Sequence, residues 1–134
     1  MKKDIEFPSV KDVAVAIVKE KNELNQDEWT VYLLNFKNEP IECVLVSSRG
    51  YGEVNQEKRK TSELRHFLNV VNQKSFAKIE PIMEDVFGLN NEYWVSFYQG
   101  EKMYDKKFIF LPESICENNL IHIPIINKRG VVIK

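Results

Sequence analysis

The chain has 134 residues, 43% of them hydrophobic and 29% charged, and its 19 basic and 20 acidic side chains leave a net charge of −1. This length is close to the commonest size of one domain, and the composition is typical of folded proteins rather than disordered ones. The small net charge excludes a global electrostatic field that would attract nucleic acid or an anionic membrane. We expect a single domain over residues 1–134.

The location of the protein is predicted from its termini, cysteines and apolar segments. Charged residues and a proline occupy the N-terminal positions where a secretory signal would place its apolar region. Cys43 and Cys116 are too few for a disulfide framework and do not form a Cys-x-x-Cys pair. No apolar stretch approaches the ~20 residues needed to cross a bilayer. These features predict a cytoplasmic protein with reduced thiols and no membrane segment.

The first third of the chain alternates with a period of two, which is typical of strands. Residues 12–19 carry apolar side chains on both faces, so this strand should be covered on both sides. Both faces are also apolar at 29–36, which predicts a central strand. A polar turn at 37–40 then leads into a further alternating run at 41–48. The natural expectation is that the last two runs pair as a hairpin.

The patterns of three segments in the middle of the chain are not equally clear. Residues 49–60 contain two glycines and many charges without periodicity, which predicts a surface loop. Residues 61–71 fit a helical stripe as well as a strand, and we favour the strand because the neighbouring segments are strands. Residues 75–83 predict an edge strand, with Pro81 near its end and Glu80 on the opposite face from Ile79.

The clearest unit is a hairpin over residues 92–111. Gly100 and Glu101 suit a two-residue turn with glycine at its first central position. Antiparallel pairing around that turn opposes Phe97 with Tyr104 and Trp94 with Lys107. The face that carries Tyr93, Val95 and Phe97 should lie in the core. The apolar tail from Leu120 to Lys134 should also be packed, against the sheet or against a second copy.

Seven short alternating strands predict an all-β protein with an immunoglobulin-like β-sandwich fold. Tyr93 stands where the tyrosine corner of such folds occurs. The signature cysteine pair of immunoglobulin domains is absent, but the wider sandwich group does not require it. The alternative is an α+β fold in which residues 61–71 form the helix.

Two candidate surfaces follow from these elements. On the outer face of the 92–111 hairpin, Trp94 and Tyr98 stand beside Lys107 and Met103, a combination typical of protein contacts. The alternative for Trp94 is a place in the core under the C-terminal tail. The second surface is a basic patch in the 49–65 region that could contact an anion or nucleic acid; it comprises Arg49, Lys58, Arg59, Lys60 and Arg65. A solvated loop is the simpler interpretation of that patch, because only Tyr51 lies close to it as a stacking partner.

The residues give little support for a catalytic, metal or cofactor site. The spacing of the two histidines and two cysteines matches no zinc motif, so no metal or cofactor is predicted; these residues are Cys43, His66, Cys116 and His122. A nucleophile pair of Cys116 and His122 lacks a third orienting group. The acidic residues near Glu80 cannot be placed at a defined separation from the sequence. We expect a protein that is not an enzyme.

The chain resembles a family of small bacterial proteins of similar length over nearly its whole extent. The resemblance lies in VYLLNFKNEPIECVLVSSRGYG, KRKTSELRHF and NEYWVSFYQGEKMYDKKFIF. Some members of that family are labelled phenylalanyl-tRNA synthetase subunits. The chain lacks the size and arginine motifs of a synthetase core, so the resemblance implies at most an accessory factor.

Two functional hypotheses follow. The first is a non-enzymatic binding or assembly module that contacts another protein or a second copy. The second is an accessory factor for tRNA or an aminoacyl-tRNA synthetase that uses the basic 49–65 region. Counterion release would make the affinity for nucleic acid fall steeply with salt, whereas an apolar protein contact would change little.

Overall fold

The computed structural model describes residues 9–134. The N-terminal positions that bear on a secretory signal lie outside this range. The described residues form ten strands and two single-turn 3₁₀ helices, at Glu84–Val86 and Glu117–Asn119. The strands are β1 (Val13–Lys21), β2 (Asp27–Asn35), β3 (Ile41–Val54), β4 (Glu57–Lys60), β5 (Leu64–Val71), β6 (Ser75–Ile82), β7 (Asn90–Gln99), β8 (Lys102–Phe110), β9 (Ile121–Ile123) and β10 (Lys128–Ile133).

The strands form two antiparallel sheets packed as a sandwich, which confirms the all-β prediction. The first sheet has the order β6-β2-β1-β10-β9, and the second has the order β4-β3-β7-β8 with β5 also paired to β3. The main core lies between the sheets, where side chains of β1 and β2 meet those of β3, β7 and β8. Residues 9–134 form ten strands rather than about seven, because β4, β9 and β10 lie in segments for which the sequence predicts a loop or a tail.

The 92–111 hairpin forms with the predicted register. Phe97 lies opposite Tyr104, and Trp94 lies opposite Lys107. Gly100 has a φ of +63°, a conformation that side-chain-bearing residues adopt rarely. The segment 61–71 also follows the favoured prediction, since β5 is a strand and pairs with β3. No helix forms there, so the α+β alternative is wrong.

The predicted hairpin between residues 29–36 and 41–48 is wrong, because β2 and β3 belong to different sheets. A buried carboxamide at the end of β2 holds the connection. The Nδ2 of Asn35 donates to the carbonyls of Glu39, Val71 and Asn72, and its Oδ1 accepts from the amide of Lys37. These contacts satisfy the buried amide at the point where the chain leaves the first sheet for the second.

The predicted loop at 49–60 is also wrong. Strand β3 continues to Val54 and returns as β4, with Tyr51 opposite Lys60. Asn55 and Gln56 form the turn with φ values of 53° and 66°. Positive φ at both central residues is the geometry of a type I′ turn, which asparagine tolerates better than most residues. Residues 49–54 therefore belong to the second sheet and share its two faces.

The C-terminal tail is ordered, as predicted. Strand β10 pairs with β1, and the tail covers the outer face of the first sheet. There Ile123 and Ile126 pack against Ala14, Ala16 and other small or aliphatic residues in a second buried cluster. Strand β1 is consequently buried on both faces, which confirms the prediction made for residues 12–19.

No helix in the described part of the chain is both long and apolar enough to cross a membrane.

Candidate functional site

The outer face of the second sheet carries large apolar side chains that face away from the core. Alternation along β7 buries Tyr93, Val95 and Phe97 and directs Trp94 and Tyr98 outward. Trp94 is 44% exposed and Tyr98 is 42% exposed. The C-terminal tail lies on the other sheet, so the interpretation of Trp94 as a core residue is wrong.

Strand pairing places charged residues on both sides of Trp94. Ser47 lies opposite both Arg65 and Trp94, and Trp94 lies opposite Lys107. The four residues therefore form one row across β5, β3, β7 and β8. The Nζ atom of Lys107 lies 4.6 Å from the centroid of a Trp94 ring, within the range of a cation–π contact.

A neighbouring row extends the apolar surface. Phe67 of β5 lies opposite Leu45 of β3, and Leu45 lies opposite Ser96 of β7. Phe67 is 64% exposed, and Tyr98 lies opposite Met103, which is 53% exposed. We call the exposed set the outer aromatic face; it consists of Leu45, Phe67, Trp94, Tyr98 and Met103.

Sequence reasoning identified three members of the outer aromatic face, Trp94, Tyr98 and Met103, and missed Leu45 and Phe67. The strand pattern of 61–71 does direct Phe67 away from Leu64 and Leu68. Nothing local indicates that β5 pairs with β3 or that β3 lies beside β7. Only the long-range pairing brings Phe67 and Trp94 to the same face.

The structure divides the five residues of the predicted basic patch. Arg65 lies on the outer face of the second sheet in the row with Trp94, and Lys58 and Lys60 share a face of β4. Arg59 lies opposite Gly52 and alternates to the other side of β4. The segment 49–65 is therefore not one basic loop but parts of three strands, β3, β4 and β5, that contribute cations to a sheet.

Arg49 is already paired. Its Nε donates to the carboxylate of Glu92 at 2.9 Å, and the Glu92 side chain is only 6% exposed. The hydrogen bond to Glu92 and the charge of that carboxylate raise the pKa of Arg49. The ring of Tyr51 lies 5.1 Å from the guanidinium carbon. The charge of Arg49 is thus directed at Glu92 and contributes little to a surface for anions.

A second candidate site is built around Glu80 of β6. The register of β6 against β2 shifts between Val31 and Tyr32, which makes Ile79 the additional residue of a β-bulge. Without the bulge, Glu80 would lie on the opposite face from Ile79, as alternation predicts. With it, both side chains turn toward the second sheet, and the prediction for Glu80 is wrong.

Three strands of the second sheet supply partners for the Glu80 carboxylate. Ser48 of β3 donates to Oε1 at 2.8 Å, and the Nε2 of His66 in β5 lies 2.7 Å from the same oxygen. The hydroxyl of Tyr93 in β7 donates to Oε2 at 3.1 Å. Burial and the nearby charge of Glu80 raise the pKa of Tyr93. The contacts tie an edge strand of the first sheet to the centre of the second.

These contacts do not assemble a nucleophile and a base. In a Ser-His-acid arrangement the imidazole lies between the hydroxyl and the carboxylate, so that it can accept the hydroxyl proton. Here the carboxylate oxygen lies between Ser48 and His66 and takes both contacts. The arrangement orients Glu80 and does not activate Ser48. The hydroxyl of Tyr93 reaches a side chain, unlike that of a tyrosine corner, which reaches the backbone.

A cleft of about 230 Å³ opens beside this cluster. Glu80, Ser48 and Tyr93 line its polar part, and further residues come from the strand ends and the first 3₁₀ helix. Its apolar lining comprises Leu64, Pro81, Ile82, Met83 and Val86.

Within residues 9–134, no three His, Cys, Asp or Glu side chains are grouped so that they could hold a metal ion. Cys43 is an exposed free thiol, and Cys116 is a partly exposed one.

No protein-family model, curated protein or solved structure matches this chain.

Proposed function

We propose that this protein is a non-enzymatic binding and assembly module that works through the outer aromatic face. The observation that carries the proposal is the exposure of Phe67, Trp94, Tyr98 and Met103, each more than 40% accessible, on one face of one sheet. Aromatic residues, methionine and arginine are the residues enriched at the centres of protein interfaces. An apolar group left in water forgoes about 1.5 kcal/mol or more of burial energy that a partner would recover.

The occupant that the face itself supports is a second copy of this chain. Asp105 and Lys107 both point outward from β8 and lie one pleat apart. A two-fold axis between two copies can place Asp105 of each copy opposite Lys107 of the other, because the same surface serves on both sides. A face with charges of a single sign would instead require a partner of the opposite sign.

Analytical ultracentrifugation of the purified chain tests the proposal. We expect a concentration-dependent dimer that the double substitution Trp94→Ala and Tyr98→Ala converts to a monomer. Phe76→Ala is the matched control, since Phe76 is 41% exposed but lies on edge strand β6 of the first sheet. This control should dimerise like the wild type.

A charge exchange sharpens the test. Asp105→Lys and Lys107→Asp should each weaken the dimer, and their combination should restore it, because the pair is re-formed with its signs reversed. A monomer at every concentration, together with no protein partner retained by the wild type and lost by Trp94→Ala, would contradict the proposal.

A second candidate function is an accessory factor for tRNA or an aminoacyl-tRNA synthetase. One observation favours it: Arg65 and Lys107 lie in the same row as Trp94, with Ser47 between Arg65 and Trp94, so two cations share one face of the sheet with an exposed aromatic ring. Positive charge interleaved with aromatic rings is the pattern that stacks and neutralises single-stranded nucleic acid. The resemblance to proteins labelled as synthetase subunits points in the same direction.

Fluorescence anisotropy with labelled tRNA separates the two candidates. Binding through counterion release should weaken steeply between about 50 and 200 mM salt. Arg65→Gln should reduce both the affinity and its salt dependence, while Arg59→Gln, on the other side of β4, should change them less. Absence of tRNA binding at the lower salt concentration would remove this candidate and leave the assembly module.

The immunoglobulin-like arrangement and the cytoplasmic location are part of the same proposal. The exposed free thiol of Cys43 supports a reducing compartment, where such a thiol is stable. Fractionation of the native host, with immunodetection of the protein, tests the location.

A further inference from the structure

The cleft beside Glu80 differs chemically from the outer aromatic face, because most of the polar side chains that line it already donate their hydrogens to protein acceptors. The hydroxyls of Ser48 and Tyr93 both donate to Glu80. The hydroxyl of Thr61 donates to the carbonyl of Ser62 and accepts from the amide of Gly50, which leaves one lone pair on its oxygen. These three oxygens therefore face the cleft as acceptors, since a hydroxyl that has donated its proton retains its lone pairs.

The side chain of Asn91 also donates its polar hydrogens to protein acceptors. Its side chain is buried, and its Nδ2 donates to the carbonyls of Val86 and Leu89, which uses both amide protons. The carboxamide oxygen is left as its one remaining hydrogen-bonding atom. Apart from the hydroxyl of Ser62 and the guanidinium of Arg49, the polar side chains of the lining therefore offer acceptors rather than free donors.

The charged side chains that line the cleft also favour a ligand with hydrogen-bond donors. Glu80 and Asp85 contribute carboxylates, and Asp85 is exposed at the first 3₁₀ helix. The one cation among the described lining residues is Arg49, whose guanidinium is paired with the nearly buried Glu92. A ligand that complements this lining should donate hydrogen bonds and carry positive charge.

The apolar lining and the size limit the rest of the ligand. Ile82, Met83 and Val86 provide a hydrophobic wall next to the acceptors. The volume of about 230 Å³ is smaller than the roughly 300–1,000 Å³ of sites for drug-sized molecules. This suits a short alkyl chain with one polar end.

We infer that the cleft binds a protonated primary amine on a short alkyl chain, with the ammonium group near Glu80 and Asp85 and the chain against Ile82, Met83 and Val86. Two sources share this chemistry, a free alkylamine and the lysine side chain of a peptide. The inference is independent of the outer aromatic face and of the oligomeric state.

Titration of the ¹⁵N-labelled full chain with n-butylamine at neutral pH, followed by amide chemical shifts, tests the inference. We expect saturable shifts at cleft residues such as Ser48, Ile82 and Asn91. n-Butanol has the same chain length but no charge, and it should give no saturable shift. An equal response to both compounds would overturn the inference, because it would show an apolar cleft without recognition of the ammonium group.

Matched variants test which carboxylates bind the ammonium group. Asp85→Asn should weaken n-butylamine binding about fivefold, the effect of removing one exposed ion pair. Glu101→Gln, which removes an exposed carboxylate in the turn between β7 and β8, should leave the affinity unchanged. Glu80→Gln should weaken binding further, and Asp85→Asn keeps the test decisive if the Glu80 variant does not fold. Equal affinities of the Asp85 and Glu101 variants, or no saturable shift in the wild type, would overturn the inference.

A second titration distinguishes the sources. Nα-acetyl-lysine methylamide and its Nε-acetylated form differ at the side-chain nitrogen, which is a protonated amine in the first and an uncharged amide in the second. Tighter binding of the lysine derivative than of n-butylamine identifies a peptide lysine as the better ligand, and the reverse order identifies a free amine. If the Nε-acetylated form binds as tightly as the lysine derivative, the ammonium group is not recognised and the inference fails.

Discussion

The two sheets of the sandwich treat their outer faces differently. On the first sheet, the C-terminal tail folds back so that Ile123 and Ile126 bury Ala14 and Ala16. On the second sheet, no described segment of the chain covers Phe67 or Trp94, which remain 64% and 44% exposed. The C-terminal tail thus covers the apolar outer face of the first sheet, whereas the apolar outer face of the second sheet stays in water. The difference shows that a sandwich fold does not by itself leave an apolar outer face exposed. The exposure of Phe67 and Trp94 is specific to the second sheet.

Truncation after Asn119 breaks the covered face and should have the largest effect. It removes β9 and β10, which deprives β1 of the strand on one side and uncovers its small residues. We expect loss of cooperative thermal unfolding by circular dichroism, because both ladder hydrogen bonds and the second buried cluster disappear. A cooperative transition at the wild-type temperature with unchanged elution would show that the tail contributes nothing.

Substitutions on the two faces of β7 compare core and surface within one strand. Phe97→Ala should reduce the free energy of unfolding by about 3–5 kcal/mol, since Phe97 is buried between the sheets. Trp94→Ala should reduce it by less than about 1 kcal/mol, because nearly half of the side chain is already in water. Chemical denaturation of the two variants under monomeric conditions measures both values. A loss of several kcal/mol for Trp94→Ala would withdraw the outer aromatic face as a docking surface.

Substitutions at two isoleucines of the tail compare a buried position with an exposed one on the first sheet. Ile126→Ala should cost about 2–4 kcal/mol of unfolding free energy, because Ile126 is buried in the second cluster. Ile121→Ala is the control, since Ile121 is 52% exposed, and it should cost less than about 1 kcal/mol. Equal destabilisation in urea titrations would mean that the tail does not cover the sheet through Ile126.

The smallest effect concerns Tyr93, which joins the cleft to the core. Burial, followed by the charge of Glu80, raises the pKa of Tyr93. The folded protein therefore keeps this proton above about pH 10, where an unfolded tyrosine loses it. The associated stability is present below that pH and is lost as the pH rises further.

Tyr93→Phe should cost about 1 kcal/mol at neutral pH, through the lost hydrogen bond to Glu80. The variant should also show a shallower decline of unfolding free energy above about pH 10. Part of the decline should remain, because burial and Glu20 also raise the pKa of Tyr32. Denaturation curves at a series of alkaline pH values measure the slope. Identical slopes for the variant and the wild type would contradict the assignment to Tyr93.

The hairpin over 92–111 shows how much of the fold the sequence determined. Its register follows from two local facts, alternation of side chains and a glycine that accepts positive φ at the turn. The same alternation gave β1, β5 and the outward direction of Trp94. Packing of the tail also followed from sequence, because its many apolar residues cannot remain in water without a large free-energy cost.

The tertiary structure decided everything that depends on partners distant in sequence. Strands β2 and β3 lie in different sheets, and Asn35 makes its hydrogen bonds at the crossover, although the proximity of the two strands in the chain favoured a hairpin. Pairing of β5 with β3 places Phe67 on the same face as Trp94. A single inserted residue, Ile79, reverses the direction of Glu80 and creates the cleft cluster. Alternation fixes which side chains share a face only within an unbroken strand, and the sites of crossovers and bulges are set by packing against the rest of the molecule.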